Sequence, residues 1–145
     1  MNSSFVTELL TLSAISAEFG YLVDHGRAIE CADLFTSDAQ LIFGAGSPKP
    51  GTLDGLEAIR AFLSARQAQS HVITRHLATN FRLEWKGGPE ARLESLLTVF
   101  RSDDATREPV VSVVADVQEI FTRHQGDTWR IQERLTKPVF VHRVP

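Results

Sequence analysis

From Thr7 to Val23 the apolar residues Leu9, Leu12, Ile15, Phe19 and Leu22 recur at steps of three and four, which predicts a long helix with one buried stripe. The pattern breaks at Asp24-His25-Gly26, and a short second helix is expected from Arg27 to Phe35, burying Ile29, Ala32, Leu34 and Phe35. Asp38 to Phe43 reads as a short strand. Gly44 to Gly51, with its glycines and prolines, reads as a loop that either closes a pocket mouth or simply connects two elements. A third helix opens on Asp54-Gly-Leu-Glu57, which has the spacing of a capping box, and buries Leu56, Ile59, Phe62 and Leu63.

Beyond Ser70 the period changes from 3.6 to 2. His71 to Trp85 has two unlike faces: Val72, Thr74, His76, Ala78 and Asn80 on one, and the more apolar Ile73, Leu77, Phe81, Leu83 and Trp85 on the other. The turn cluster Lys86-Gly87-Gly88-Pro89 leads to a strand from Ala91 to Arg101. A valine-rich strand from Pro109 to Phe121, a polar turn from Arg123 to Asp127, and a last strand from Trp129 to Leu135 complete the chain. Three helices followed by four long antiparallel strands form an α+β domain in which helices cover one face of a curved sheet. A sheet curled around a long helix leaves a cone open at one end, where a pocket is expected.

Composition narrows the function classes. The 145 residues suit one domain spanning 1–145, and a charged fraction of 23% with a hydrophobic fraction of 43% is ordinary for a globular chain. No apolar run reads as a membrane span and no leader segment is evident, so the expected compartment is the cytoplasm. A net charge of −3 with scattered Lys and Arg excludes a nucleic-acid partner from the expectations. The one cysteine, Cys31, reads as a small buried hydrophobe, and no histidine pair shares helix-face spacing with a carboxylate as a metal site requires. Neither metal nor organic cofactor is expected.

His76 stands between the small side chains of Thr74 and Ala78, which leave room around its ring. Alone it reads as a hydrogen-bonded core histidine; with a carboxylate on one ring nitrogen it becomes a general base. Asp24, at the end of the first helix, is either that carboxylate or the cap of the second helix. Asp116, which interrupts Val113-Val-Ala-Asp-Val117, is a polar pocket group or a solvated strand edge. Arg134 either stabilises a developing anion or is an exposed arginine. Asn80 could orient His76 or a ligand, and His25 could compete for Asp24; His71, His124 and His142 read as solvated.

The element order, together with Tyr21 to Asp24, Ala32-Asp33-Leu34-Phe35 followed by Asp38-Ala39, Gly51 to Phe62, His76 to Glu84 and Gly126 to Ile131, resembles the NTF2-like superfamily. Within it the likeness is to the SnoaL-like group that includes scytalone dehydratase and the lindane dehydrochlorinase. The resemblance implies an NTF2-like cone and an aspartate–histidine pair, here Asp24 and His76, acting as base in a cofactor-free lyase or isomerase. Tyr21 is the only tyrosine, so a water held by several tyrosines, as in scytalone dehydratase, is not expected. The implied partner is a small hydrophobic molecule, with Tyr21, Asn80, Asp116 and Arg134 as substrate-binding residues. Two alternatives stand beside it: a non-catalytic binding or assembly subunit, as in ring-hydroxylating dioxygenases, and ketosteroid-isomerase-like proton transfer by Asp116. Because three helices cover only one face of the sheet, a homodimer or homotrimer is expected.

Overall fold

The computed structural model describes residues 2–104, 106–124 and 126–143. Helix α1 runs Ser3–Asp24, four residues earlier in the chain than its apolar pattern begins, because the Asn2 side chain caps it by accepting the Phe5 N–H at 2.8 Å. By length and composition α1 is long and apolar enough to cross a bilayer, a test that the core helix of a globular protein also passes. In this fold Leu12, Ser16, Phe19, Gly20, Leu22 and Val23 are buried, the stripe of a core helix. The second helix is a 3-10 helix, Ala28–Leu34, whose N-cap residue Arg27 makes no side-chain capping bond.

Six strands form one sheet in the order β2-β1-β6-β5-β4-β3: β1 Phe35–Phe43, β2 Gly51–Asp54, β3 Ile73–Trp85, β4 Glu90–Ser102, β5 Val110–Thr122 and β6 Arg130–Val141. All neighbours are antiparallel except β1 and β6. β2 is a short edge strand where the sequence suggested a helix cap. Asp54 ends that strand and accepts a long bond from Gln40, while Gly55 occupies the N-cap of α2 (Leu56–Ala68) without a side-chain bond, so the capping box does not form. β6 continues six residues past Leu135, carried by its pairing with β5. In the polar turn before β6, Gln125 lies outside the described residues.

Strand β3 does not keep one face. Its pairing with β4 shifts between Thr79 and Arg82, and Asn80 there adopts a left-handed backbone with φ of 57°. This is a bulge, and it exchanges the inward row. Before it, Thr74, His76 and Ala78 face the helices; after it, Phe81, Leu83 and Trp85 pack on the main core. One strand thereby contributes both its polar row and its apolar row to the interior. On β4 the alternation is simpler, since Ala91, Leu93, Ser95, Leu97 and Val99 are all buried.

Two buried apolar clusters share the inner face. The larger joins α1, α2, β1 and parts of β4, β5 and β6, with Leu12, Leu41, Ile59, Leu63, Phe121 and Ile131 fully enclosed. Each such side chain contributes about 1.5–3 kcal/mol. The smaller, Leu97, Val99 and Val117 with Val113, is not continuous with the first. Asn80→Gly should leave stability within about 0.5 kcal/mol of wild type, whereas Asn80→Val should cost about 1–2 kcal/mol, because a β-branched side chain resists the left-handed region. Urea denaturation checks this, and an unchanged midpoint for the valine variant would count against the bulge conformation.

Candidate functional site

The site begins with a close approach of α1 to β3. Glycine in mid-helix costs about 1 kcal/mol relative to alanine, and Gly20 has a reason to be there. A Cβ built on it would lie 2.6 Å from Cβ of His76. The contact brings the last turn of α1 over the inward row of β3, and Asp24 reaches three donors at once. Its Oδ1 accepts from His76 Nδ1 at 2.5 Å and from the Thr74 hydroxyl at 2.7 Å, and its Oδ2 accepts the backbone N–H of His76 at 2.7 Å. The Asp24 side chain is 4% exposed and that of His76 16%.

Burial alone would raise the Asp24 carboxyl, but the His76 ring, the charge it can carry, its backbone N–H and Thr74 together outweigh burial and hold the carboxyl below its usual range. An ionised Asp24 can only accept, so Nδ1 of His76 carries a proton. In the neutral ring Nε2 is then the free acceptor, and it makes no hydrogen bond among the described residues. This arrangement can remove a proton from a bound molecule and stabilise the imidazolium that results. Asp24 does not cap the 3-10 helix, whose N-cap is Arg27.

A second buried polar group spans the sheet. Glu119 on β5 is fully enclosed; its Oε1 accepts the Ser16 hydroxyl of α1 at 2.5 Å and its Oε2 accepts Nη1 of Arg134 on β6 at 2.6 Å. Arg134 is 4% exposed, so the exposed reading of this residue is corrected, and its guanidinium lies over the Phe19 ring at 4.4 Å. Removing either partner of such a pair alone costs about 3–5 kcal/mol, because the other charge is left buried. Cys31 is enclosed nearby and donates to the Phe19 carbonyl. Burial pushes its thiol up to about 12, which leaves it protonated and no nucleophile.

Of the other residues singled out in the sequence, none joins Asp24 and His76. Tyr21 is half exposed and stacks on His25, whose Nδ1 meets the Tyr21 carbonyl rather than Asp24. Asp116 pairs in register with Leu96 and Lys137 on the outer face, and with Asn80 it lines a groove of about 360 Å³. A larger depression of about 410 Å³ lies between Thr36, Thr122, Arg123 and Arg130. Neither includes Asp24 or His76. Among the described residues no group of three or more His, Cys, Asp or Glu side chains could hold a metal ion.

Glu119, Thr74 and Gly20 were not named as site residues from the sequence. Glu119 did leave a signal, a charge in the inward row between Val117 and Phe121, and Gly20 left another, a glycine inside a helical pattern.

A long helix held in a curved six-stranded sheet, with two shorter helices, is the NTF2-like α+β cone. The chain belongs to the SnoaL-like domain family, whose pattern matches residues 8–135. Solved structures agree on the fold. An NTF2-like protein with a cystatin-like fold from Novosphingobium aromaticivorans is 18% identical over 94% of this chain and 84% of its own, with a TM-score of 0.75. A candidate scytalone dehydratase from the same organism is 16% identical over 100% of this chain and 94% of its own, TM-score 0.82. The β subunit of a candidate aromatic-ring-hydroxylating dioxygenase, again from that organism, is 16% identical over 97% and 94%, TM-score 0.81. Among proteins with curated descriptions no sequence match is found.

Because the folded-state carboxyl of Asp24 lies below its ordinary 3.8, the stability it contributes is present above that value and is lost as pH falls through the lower, folded-state one. Urea midpoints measured from about pH 5 down to about pH 2 should therefore fall less steeply in Asp24→Asn than in wild type. Parallel curves would show that Asp24 contributes nothing to acid sensitivity.

Proposed function

We propose that this protein is a cofactor-free lyase or isomerase in which His76, oriented by Asp24, removes a proton from a small hydrophobic, cyclic or polyketide-like molecule. The observation that carries the reading is the Asp24–His76 pair itself: a buried, ionised carboxylate on Nδ1 and an unpartnered Nε2. Register adds a surface for the substrate. Along the inner face, His76 lies beside Val99 and Val113, the next rows hold Leu97, Ala115 and Val117, and beyond them stands Arg134. An apolar strip thus runs from the base towards a buried guanidinium, only one of whose nitrogens is engaged by Glu119.

In an elimination, Nε2 takes the proton, the C–H electron pair becomes the new π bond, and the leaving group departs with its own bonding pair. Halide leaves as the anion; hydroxide leaves as water by taking a proton from the imidazolium or from solvent. In an isomerisation the imidazolium returns the same proton to another carbon. Arg134 is the group suited to the negative charge that develops on an oxygen or halogen. Proton transfer by Asp116 has less support, since that carboxylate is exposed on the outer face and does not share the inner space with His76. The apolar stripe of α1 is buried in the core, which supports a cytoplasmic location within this proposal.

Screening cyclic halides and β-hydroxy carbonyl compounds for halide or water loss gives the test. With an active compound in hand, His76→Gln should lower kcat by at least about 100-fold, the usual worth of a general base, while near-UV circular dichroism stays unchanged. Retained turnover would refute the assignment.

Assembly is the second reading, supported by the outer face of the sheet. Leu77, Phe100, Val111 and Phe140 are exposed there, the last by 69%. Four strands of 12 or 13 residues, at about 3.3 Å per residue and about 4.8 Å apart, present on the order of 800 Å². A stable interface needs about that much per partner. Opposite charges face each other across this surface, Arg82 with Glu94, Glu84 with Arg92 and Asp116 with Lys137, so another copy of the chain meets both signs. We therefore propose that the occupant is a second copy, in a homodimer or homotrimer. Light scattering should give a multiple of 16.1 kDa that falls to one chain in Phe140→Glu combined with Leu77→Glu. A monomeric wild type at about 50 µM, or a mass unmoved by the substitutions, would exclude this surface.

A further inference from the structure

We infer that Arg66, acting through the Thr74 hydroxyl, is a positioning residue for the Asp24–His76 pair, so that helix α2 sets how the base is held. This rests on the pair being the base proposed above. A hydroxyl has one proton to give and lone pairs to receive with, whereas a guanidinium can only donate. Nη2 of Arg66 donates to Thr74 Oγ1 at 3.2 Å, and Thr74 in turn donates to Asp24 Oδ1 at 2.7 Å. With Arg66 on one lone pair, the Thr74 proton is turned towards Asp24. Without it, the hydroxyl is free to bond neighbouring backbone carbonyls, as threonines commonly do.

The consequence falls on one oxygen. Oδ1 of Asp24 receives both the Thr74 hydroxyl and the His76 ring N–H, so the direction and strength of the first bond set the position from which the second is made. Chains of this kind polarise one another, since a hydroxyl that accepts from a cation donates more strongly. Thr74 is 4% exposed, which keeps water from replacing either link.

The charges around the pair come from three elements. Arg66 approaches from α2. Arg75 on β3 reaches the backbone carbonyls of Asp24 and Thr74, and Arg101, the register partner of Thr74 on β4, is ion-paired with Asp103. Burial first, and then the neighbouring Arg101, lower the Arg66 guanidinium from its ordinary value, although Asp24 and Asp103 oppose this. Arg66 is not what attaches α2 to the fold. The fully buried Ile59 and Leu63 do that, together with Gln67, which accepts the Ile29 N–H.

The test compares Arg66→Met, which keeps the stem and removes the donors, and Thr74→Val, with the rescuing Arg66→Lys and Thr74→Ser. Two quantities are read by NMR, the titration of the Asp24 carboxyl carbon and the exchange of the His76 Nδ1 proton with solvent. In Arg66→Met and Thr74→Val the Asp24 titration should move upward and the ring proton should exchange about fivefold faster, the population effect of one lost hydrogen bond. Lys and Ser should restore both. A structural role alone would lower the melting temperature without moving either signal. If Thr74→Val moves them and Arg66→Met does not, or if neither does, the positioning role of Arg66 is overturned. Asp24→Asn is the control: a ring proton equally protected in that variant would remove the pair itself, and the inference with it, whereas a deprotected one leaves the pair standing whatever Arg66 does.

Discussion

A carboxylate removed from water at the end of a helix must be surrounded by donors, and the contact of α1 with β3 is arranged to supply them. Asp24 cannot reach solvent freely, and its ionised form survives burial only because a ring N–H, a backbone N–H and a hydroxyl converge on its two oxygens. Those donors all belong to Thr74 and His76 of β3. Satisfying one charge therefore fixes the register of α1 on β3, the rotamer of Thr74 and the tautomer of His76 together. Gly20 is the steric counterpart, since any side chain there would hold the helix off the strand.

The second enclosed charge obeys the same rule with a different result. Glu119 is satisfied by Ser16 and Arg134, so it links α1 to β5 and β6 where the main core begins. A buried ion pair is weak evidence for stability, because well-packed apolar residues often do as well. Its position is more informative than its energy. Together with Asp24 and His76 it brackets the apolar strip of Leu97, Val99 and Val117, which is separate from the main core.

Inner and outer faces of the same strands carry different residues. Alternation places His76, the apolar strip and Arg134 inside, while Leu77, Phe100 and Phe140 are exposed on the opposite side. The NTF2-like cone hosts unrelated functions, and a candidate dehydratase and a candidate dioxygenase subunit share it with this chain at 16% identity. What distinguishes this chain within that fold is the hydrogen-bonded pair of Asp24 and His76.

The sequence by itself determined the class of fold, because helix and strand periods, turn clusters and element order depend on local pattern and survive in the tertiary structure. It also offered Asp24 and His76 as candidates, since a charge at the end of an apolar helix and a histidine between small residues are visible in one dimension, but their pairing was implied only by the family resemblance, and the packing of α1 on β3 is what joins them. It did not reveal the parallel pairing of β1 with β6, the edge strand β2, or the inward turn of both halves of β3. These depend on a register shift at Asn80 and on partners distant in the chain. The burial of Arg134 and Glu119 was equally beyond it. Both are charged residues on strands, and a strand's alternation says which residues share a face but not which face is inside; only the packing of α1 against the sheet decided that.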